Sequence, residues 1–220
     1  VGPYARPFLA VVMDPRAAGP HTLVALRALH RLLERSSLKV LGGSVSNGSG
    51  FGVVMEPLTK GVLNCKFEQT DAGADEAVEM AIAALLALMV TIDRRSIQLE
   101  TLMDAFNTVF VTRNTFVHSP ALCYHFEDVL TTIVRTVFED LDNLNDAAGR
   151  LILEFLVNQL LHTPLVGGDD DASREAQMAH DATRVLCLRL TRCALKYGLK
   201  DVQNQVFAQA AASASPDEER

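Results

Sequence analysis

Apolar residues recur at spacings of three and four along almost the whole chain, and this pattern constrains the fold more than any other feature. A side chain returns to the same face of an α-helix at those spacings, whereas a strand needs alternation at every second residue. Such alternation between turn residues is nearly absent. The pattern therefore predicts an all-α protein. The segments predicted to be helical are residues 7–13, 20–35, 57–64, 74–91, 96–111, 120–141, 151–161, 172–197 and 199–211.

Short connections join these segments, which favours stacked helical hairpins over a four-helix bundle. We expect an armadillo/HEAT-like stack, although no strict repeat period is visible, because irregular arrays hide theirs. A stretch rich in glycine and serine, residues 42–52, is expected to be a flexible loop, and residues 167–171 a solvated break. The first stretch has neither the lysine nor the preceding strand of a Walker phosphate loop.

Local signals predict where individual helices begin and end. Pro7 suits the first turn of the first helix, and Pro57 suits that of the third. Asp71 and Ser96 are the expected N-caps of the fourth and fifth helices, because their short oxygen-bearing side chains accept bonds from free backbone N–H groups. Gly198 is expected to close the eighth helix.

The spacing of apolar residues by three and four also predicts which faces of four helices are buried. Segment 151–161 is apolar almost all round, which predicts an inner helix packed on several sides. The second, fourth and sixth helices are amphipathic, with one face expected in the core. The expected core residues are Val24, Leu26, Leu29, Leu32 and Leu33 in the second helix, Val78, Ile82, Leu85, Leu86, Met89 and Val90 in the fourth, and Leu122, Phe126, Val129, Leu130, Ile133, Val137 and Leu141 in the sixth.

Composition excludes several classes of protein. Hydrophobic residues make up 49% of the chain, too many for a generally disordered protein. The 20 Lys and Arg against 27 Asp and Glu give a net charge of −7, which argues against bulk nucleic-acid binding. The 4 cysteines show no CxxC spacing, and no secretory signal is visible, so we expect reduced thiols in a cytosolic protein. The longest apolar run, Met80–Ile92, is shorter than the roughly 20 residues of a membrane span.

A search for chemical motifs predicts no catalytic site, no metal site and no cofactor. The 6 histidines are never paired as HxxxH or HExxH, and residues 169–171 lack the alternating ligands of an EF-hand. There is no GxSxG motif. Cys123 and His125 stand two positions apart on a predicted helix, so they should point to different faces.

Basic residues form two stripes at helical spacing. Each stripe is either an ordinary solvated helix face or a surface for acidic partners or anionic lipid head groups, where each basic residue gains about 1 kcal/mol. The spacing alone leaves both interpretations open. The stripes are Arg27, Arg31 and Arg35 near the amino end, and Arg189, Arg192, Lys196 and Lys200 near the carboxyl end.

Three segments in order resemble the N-terminal regulatory region of the large Golgi-type Arf guanine-nucleotide exchange factors, the family of Golgi brefeldin A-resistance factor, Gea and GNOM. Arg6–Val12, RPFLAVV, resembles the family's RPFLEVI. The Gly19–Leu26 segment resembles GPITGLAL, and CKFEQTD at residues 65–71, followed by Asp75 and Glu76, resembles CRFEATD with its later DE. The resemblance covers about residues 3–92. Residues 93–141 match in helix pattern more than in letters, and TRNTFVHS at 112–119 departs from the family's MRLSELLRKSAE, which leaves the subfamily open.

In that family the region is the dimerisation and cyclophilin-binding (DCB) domain, an armadillo-like regulatory array. The resemblance implies a DCB-like array over residues 1–145, with 146–212 as further helices of the array or the start of a HUS-like region (homology upstream of the catalytic domain), and 213–220 as a disordered tail. It implies a non-catalytic fragment, because no catalytic Sec-seven sequence is seen. The implied partners are a second copy, the HUS domain of the same protein, cyclophilin, small GTPases and an anionic membrane surface, on the cytoplasmic side of the Golgi.

Two charged residues carry over from the family's motifs. Arg31 stands at a lysine position and Glu76 at the acid of the DE pair, positions that the family associates with DCB self-association and DCB–HUS contact. We add Arg27 and Arg35 from the same stripe as candidate partner-binding residues. Without the resemblance, these are ordinary helix-surface residues. A HEAT/armadillo-like trafficking adaptor of the Mon-two type, without exchange activity, is the alternative, and an all-α enzyme comes third.

Overall fold

The computed structural model describes residues 2–42, 52–69, 71–139, 147–161 and 171–213, with side chains described for 5–35, 55–69, 71–139, 147–161 and 173–198. Within these ranges the regular structure is entirely helical, so the predicted all-α class is confirmed. The helices are α1 (Gly2–Val12), α2 (Gly19–Gly42), α3 (Gly52–Leu63), α4 (Ala72–Asp93), a 3₁₀ turn (Arg94–Ser96), α5 (Leu99–Thr115), α6 (Pro120–Glu139), α7 (Ala147–Leu161) and α8 (Asp171–Ser213).

The chain forms two compact units, Val1–Ile133 and Val134–Arg220, which divide within α6. The predicted glycine-rich loop lies outside the described residues at 43–51, and its expected ends Gly42 and Gly52 are helical. The predicted tail also lies outside them from residue 214 onward. Over the described part of the chain, none of the helices combines the length and the apolarity that crossing a membrane takes.

Helix α4 is the central element of the first unit. Its most extensive contact among the described helices is with α2, and it also packs against α3, α5 and the 3₁₀ turn. Its expected apolar face, from Val78 to Val90, is buried as predicted. Asp71 caps its first turn as predicted: the carboxylate accepts from Gly73 N at 3.3 Å and from Ala74 N at 3.2 Å.

Helix α2 buries most, but not all, of its predicted stripe. Leu26, Leu29 and Leu33 are buried, whereas Val24 is 65% exposed, so its assignment to the core was wrong. Residues 22, 26, 29 and 33 follow the helical spacing, and Thr22 takes the buried place in the first turn. Its hydroxyl donates to the carbonyl of Ala18, which makes burial of this polar side chain tolerable.

Both predicted proline starts were wrong, because α1 begins at Gly2 and α3 at Gly52, each about a turn before its proline. A proline inside a helix removes one backbone bond, a cost that packing elsewhere can offset. Ala5 and Met55 precede Pro7 and Pro57, and both are buried. Tertiary contacts therefore extend these helices beyond the start that proline alone favours.

Gly61 lets α1 approach α3 closely. A β-carbon added at this position would lie 2.6 Å from Leu9 Cδ1, inside the distance that real β-carbons adopt. The two helices pack against each other at this point. A larger residue at this position would therefore require the Leu9 side chain to move.

The start of α5 is capped by a residue from another helix. Ser96 was predicted to be the cap, but it belongs to the 3₁₀ turn and Gln98 is the N-cap residue, with no side-chain bond of its own. The Glu56 carboxylate from α3 accepts from Gln98 N at 2.8 Å and from Thr101 Oγ1 at 2.7 Å. Lys60 Nζ lies 2.8 Å from the same carboxylate. Sequence spacing cannot reveal a cap that is supplied by a different helix.

Helix α6 is amphipathic as predicted. Every expected core residue from Leu122 to Val137 is buried, and Leu141 lies outside the described residues. In the first unit the Phe126 ring stacks on Phe116 at a centroid distance of 5.8 Å, with the His125 ring edge-on at 5.5 Å.

The second unit corrects two expectations. Helix α7 was predicted to be an inner helix packed on several sides, but Val157 and Leu161 are exposed and only the face with Ile152 and Leu156 is buried. It packs against α8. Helix α8 continues through Gly198, the expected end, because an interior glycine costs only about 1 kcal/mol relative to alanine.

Truncating the stacked ring should test the core of the first unit. We expect Phe126→Ala to lower the free energy of unfolding by about 3–5 kcal/mol, because it empties a fully buried site. Urea unfolding followed by circular dichroism measures the loss. Tyr124→Ala is the control, since that ring is 76% exposed and should matter by less than about 0.5 kcal/mol. Equal losses in the two variants would contradict the burial of Phe126.

Removing the charge of Glu56 should weaken the α3–α5 contact. Burial raises the pKa of Glu56, but hydrogen bonds from Lys60, Thr101 and Gln98 outweigh it and leave the pKa below 4.5. The ionised form is thus favoured in the fold, and its contribution is lost as pH falls through the lowered pKa. We expect Glu56→Gln to cost about 1–2 kcal/mol at pH 7. The loss in the free energy of unfolding relative to wild type should become smaller as pH falls.

Urea unfolding from pH 7 to pH 3 checks this expectation. Lys60→Met is the control, because it removes a solvent-screened ion-pair partner but leaves the cap of α5 in place, so it should cost less than Glu56→Gln. A Glu56→Gln variant as stable as wild type at pH 7 would rule out the cap.

Candidate functional site

Two grooves beside α4 contain residues that the sequence analysis singled out. The first, which we call the alanine groove, lies between α2 and α4 and has a volume of about 300 Å³. On its α4 side, three short alanine side chains at helical spacing leave the space open. Arg27 and His30 supply its polar groups from α2. Its lining consists of Leu26, Arg27, His30, Ala77, Met80, Ala81 and Ala84.

The second groove, which we call the acidic groove, lies where the start of α4 meets the end of α5. It also has a volume of about 300 Å³. Three carboxylates of the first turns of α4, where negative charge suits the helix dipole, line one wall. The loop before α4 and the last turn of α5 complete it. The lining residues are Phe67, Gln69, Ala72, Asp75, Glu76, Glu79, Thr112, Thr115 and Phe116.

Burial sets the protonation behaviour of this groove. It raises the pKa of Glu79, and the nearby charge of Asp75 raises it further. Burial, with a smaller contribution from Glu79, raises the pKa of the Cys65 thiol to about 12. A thiol with such a pKa stays protonated at neutral pH and is a poor nucleophile. The groove therefore presents acidic groups, and the nearby Cys65 is not an activated thiol.

The buried Arg113 forms an ion pair with Glu127 that the sequence analysis missed. Arg113, whose side chain is 5% exposed, places Nη2 2.6 Å and Nε 3.2 Å from Glu127 Oε1, while Nη1 donates to Asn114 Oδ1 at 3.2 Å. The pair joins α5 to α6. One signal was available, because Arg113 follows Phe106, Val109 and Phe110 at the spacing of the buried face.

The Cys123 and His125 side chains are used for structure. The Cys123 thiol donates to the Phe116 carbonyl at 3.3 Å, and a His125 ring nitrogen bonds the Met80 carbonyl at 3.2 Å. The two side chains thus have different partners, as their positions on one helix predicted. Among the described residues, no group of three His, Cys, Asp or Glu side chains is arranged to hold a metal ion.

The predicted partner-binding residues lie on separate surfaces. Arg27 lines the alanine groove, whereas Glu76 lines the acidic groove. Arg31 and Arg35 are exposed on α2. Arg27 of the basic stripe therefore lies at one groove, and Glu76, the acid that the family resemblance singled out, lies at the other.

Comparison with known proteins adds no relative. No protein-family model matches the chain, and no curated protein or solved structure matches it.

Neutralising Glu79 should stabilise the protein at neutral pH. Because its folded-state pKa is raised above 4.5, the folded chain binds more protons than the unfolded chain between the two pKa values, so stability falls as pH rises through that window. We expect Glu79→Gln to unfold at a higher temperature than wild type at pH 7, with the difference vanishing below pH 4.5. Differential scanning calorimetry across this range provides the measurement.

Asp128→Asn, an exposed change on α6, controls for the loss of one negative charge. If Glu79→Gln melts at or below the wild-type temperature at pH 7, the ionised carboxylate does not destabilise the fold.

Proposed function

We propose that this chain is a non-catalytic regulatory scaffold of the DCB type from a large Arf guanine-nucleotide exchange factor. In this proposal it self-associates, contacts the HUS domain of the same protein and supports recruitment to Golgi membranes during vesicle transport. The observation that carries the proposal is the spatial arrangement of the three segments that resemble the family.

These three segments are neighbours in space. Arg6–Val12 lies in α1, which packs on α2, where the Gly19–Leu26 segment begins. The third segment joins them through Glu68, whose N–H donates to the Ala17 carbonyl at 2.9 Å and which bridges to Ala18. Consecutive helices usually pack together, so the informative contact is the one between Glu68 and residues 17 and 18, which lie far apart along the chain. Their proximity therefore supports one shared structural unit.

The order of helix contacts supports an armadillo/HEAT-like stack, which is part of the proposal. In the first unit α1 contacts α2 and α3, α4 contacts α2 and α3, and α5 contacts α3 and α4. All of these contacts join a helix to its next or second-next neighbour, which is typical of stacked hairpins, in which each repeat touches only adjacent ones.

The charged surfaces suit a binding role better than a chemical one. The stripe of Arg27, Arg31 and Arg35 is exposed along α2 and carries three positive charges. Arginine presents a planar fork that pairs with carboxylates through two hydrogen bonds. We infer that α2 contacts acidic groups of a second copy or of the HUS domain.

Charge reversal in the middle of this stripe tests the proposal. We expect Arg31→Glu to weaken self-association and HUS binding at least tenfold, about 1.4 kcal/mol, without loss of helicity. Light scattering over a hundredfold concentration range measures assembly, and pull-down with the isolated HUS region measures that contact. Arg16→Glu is the control, because Arg16 is an exposed arginine outside the stripe.

If Arg31→Glu and Arg16→Glu leave both assembly and HUS binding unchanged, α2 is not the interface. The sequence downstream of this chain distinguishes the adaptor alternative: a catalytic exchange domain there would favour the exchange factor, and its absence would favour the adaptor without exchange activity.

A further inference from the structure

Helix α8 exposes large apolar side chains in a regular pattern. Over its described side chains these are Met178, Val185, Leu188 and Leu195, which are between 47% and 73% exposed. Successive members are separated by seven, three and seven residues, the spacing of the first and fourth positions of a heptad. We call this row the α8 seam. The contact positions of a two-helix coiled coil have this spacing.

The seam is separate from the face that α8 uses within its own unit. The buried residues of α8 are Leu186, Cys187, Leu190 and Ala194. Helix α7 packs against α8 in this unit, and α7 does not cover the seam. The helix thus has two apolar faces, of which one is unburied.

The seam suits another helix better than a lipid surface. A helix that lies in a membrane interface needs a broad apolar face, usually with aromatic residues. The seam is narrow and has no aromatic residue, and Asp181 and Arg192 occupy heptad positions within it. Charged residues at such positions specify partner and register in coiled coils, at a cost in stability.

The pattern of the seam is symmetric about its centre. Met178 and Leu195 are equally distant from the midpoint between Leu186 and Cys187, and so are Val185 and Leu188. A second copy of α8, running antiparallel across a twofold axis at this midpoint, would place Met178 opposite Leu195 of the second copy. Val185 would lie opposite Leu188 of the second copy in the same way. Such self-complementarity is what a twofold interface requires.

The charges agree with the same register. Asp181 and Arg192 are equally distant from the midpoint, so each faces the opposite charge on the second copy. Glu175 and Lys196, at flanking heptad positions, also come close across the antiparallel pair. A parallel pair would instead set Asp181 against Asp181 and Arg192 against Arg192, and like charges in a seam are destabilising. The charges therefore select the antiparallel arrangement.

We propose that the α8 seam is a homotypic interface, at which a second copy of this chain packs antiparallel through Met178, Val185, Leu188 and Leu195, with Asp181 paired to Arg192 across the twofold axis. This interface lies in the second unit and goes beyond the α2 contact of the proposed function. The charged residues of the seam therefore allow a test that is separate from the test of the α2 contact.

A charge-swap series on the full chain tests the interface. The series is made in Arg31→Glu, which removes the proposed α2 contact, and we expect this parent variant to double in mass over a hundredfold concentration range in analytical ultracentrifugation. Asp181→Arg and Arg192→Asp, each added to the parent, should weaken the dimer at least tenfold, because like charges then meet in the seam. Both changes together, Asp181→Arg with Arg192→Asp, should recover to within threefold of the parent, because they restore the opposite charges in reversed order.

The controls separate this interface from other causes. Asp128→Arg makes the charge change of Asp181→Arg on α6 instead of α8, and it should leave dimerisation unchanged. Leu188→Gln should weaken the dimer without loss of helicity, because this side chain is more than half exposed in the single chain. Arg31→Glu tests the α2 contact in the same assay, so failure of one surface is visible without failure of the other.

Three results would overturn the proposal. The first is a parent variant that stays monomeric at every concentration. The second is a double charge-swap variant that remains as weak as the single variants. The third is a monomeric chain that floats with phosphatidylserine vesicles and loses this binding in Leu188→Gln, which would make the seam a lipid-binding face.

Discussion

Burial of one face of α4 is the constraint on which the first unit depends. Its apolar side chains from Val78 to Val90 are withdrawn from water between α2, α3 and α5. Full burial of one such leucine or valine contributes about 1.5–3 kcal/mol, so this face outweighs any single polar contact nearby. The edges of the same helix form the walls of both grooves, since alanines face α2 and acids face the end of α5. The position of the candidate surfaces thus follows from the packing of α4.

Polar side chains then fix how the helices around α4 are oriented. Hydrophobic burial is non-directional and leaves the rotation of each helix weakly determined. Glu56, from α3, accepts from the backbone N–H of Gln98, the N-cap residue of α5, and Arg113 binds Glu127 between α5 and α6. Both carboxylates have little freedom, because more than one donor holds each of them. These contacts are long-range in sequence and directional, which apolar contacts are not.

The second unit places two apolar faces on one long helix, and the first unit places an exposed basic stripe on α2. We propose binding roles for both of these surfaces. Cys65 is held protonated by burial, and Cys123 and His125 bond to backbone carbonyls. The scaffold function and the homotypic seam are both proposals about surfaces, and they concern different units of the chain.

The sequence by itself determined the helical class, the buried faces of α4 and α6 and the Asp71 cap, because each depends on residues within one or two turns. Only the tertiary structure decided that α1 and α3 extend beyond their prolines, that Val24 is exposed, and that α7 buries one face. It also decided that Glu56 caps α5 and that Arg113 finds Glu127. Each of these depends on which helix lies alongside, and no local spacing specifies a neighbour that is distant along the chain.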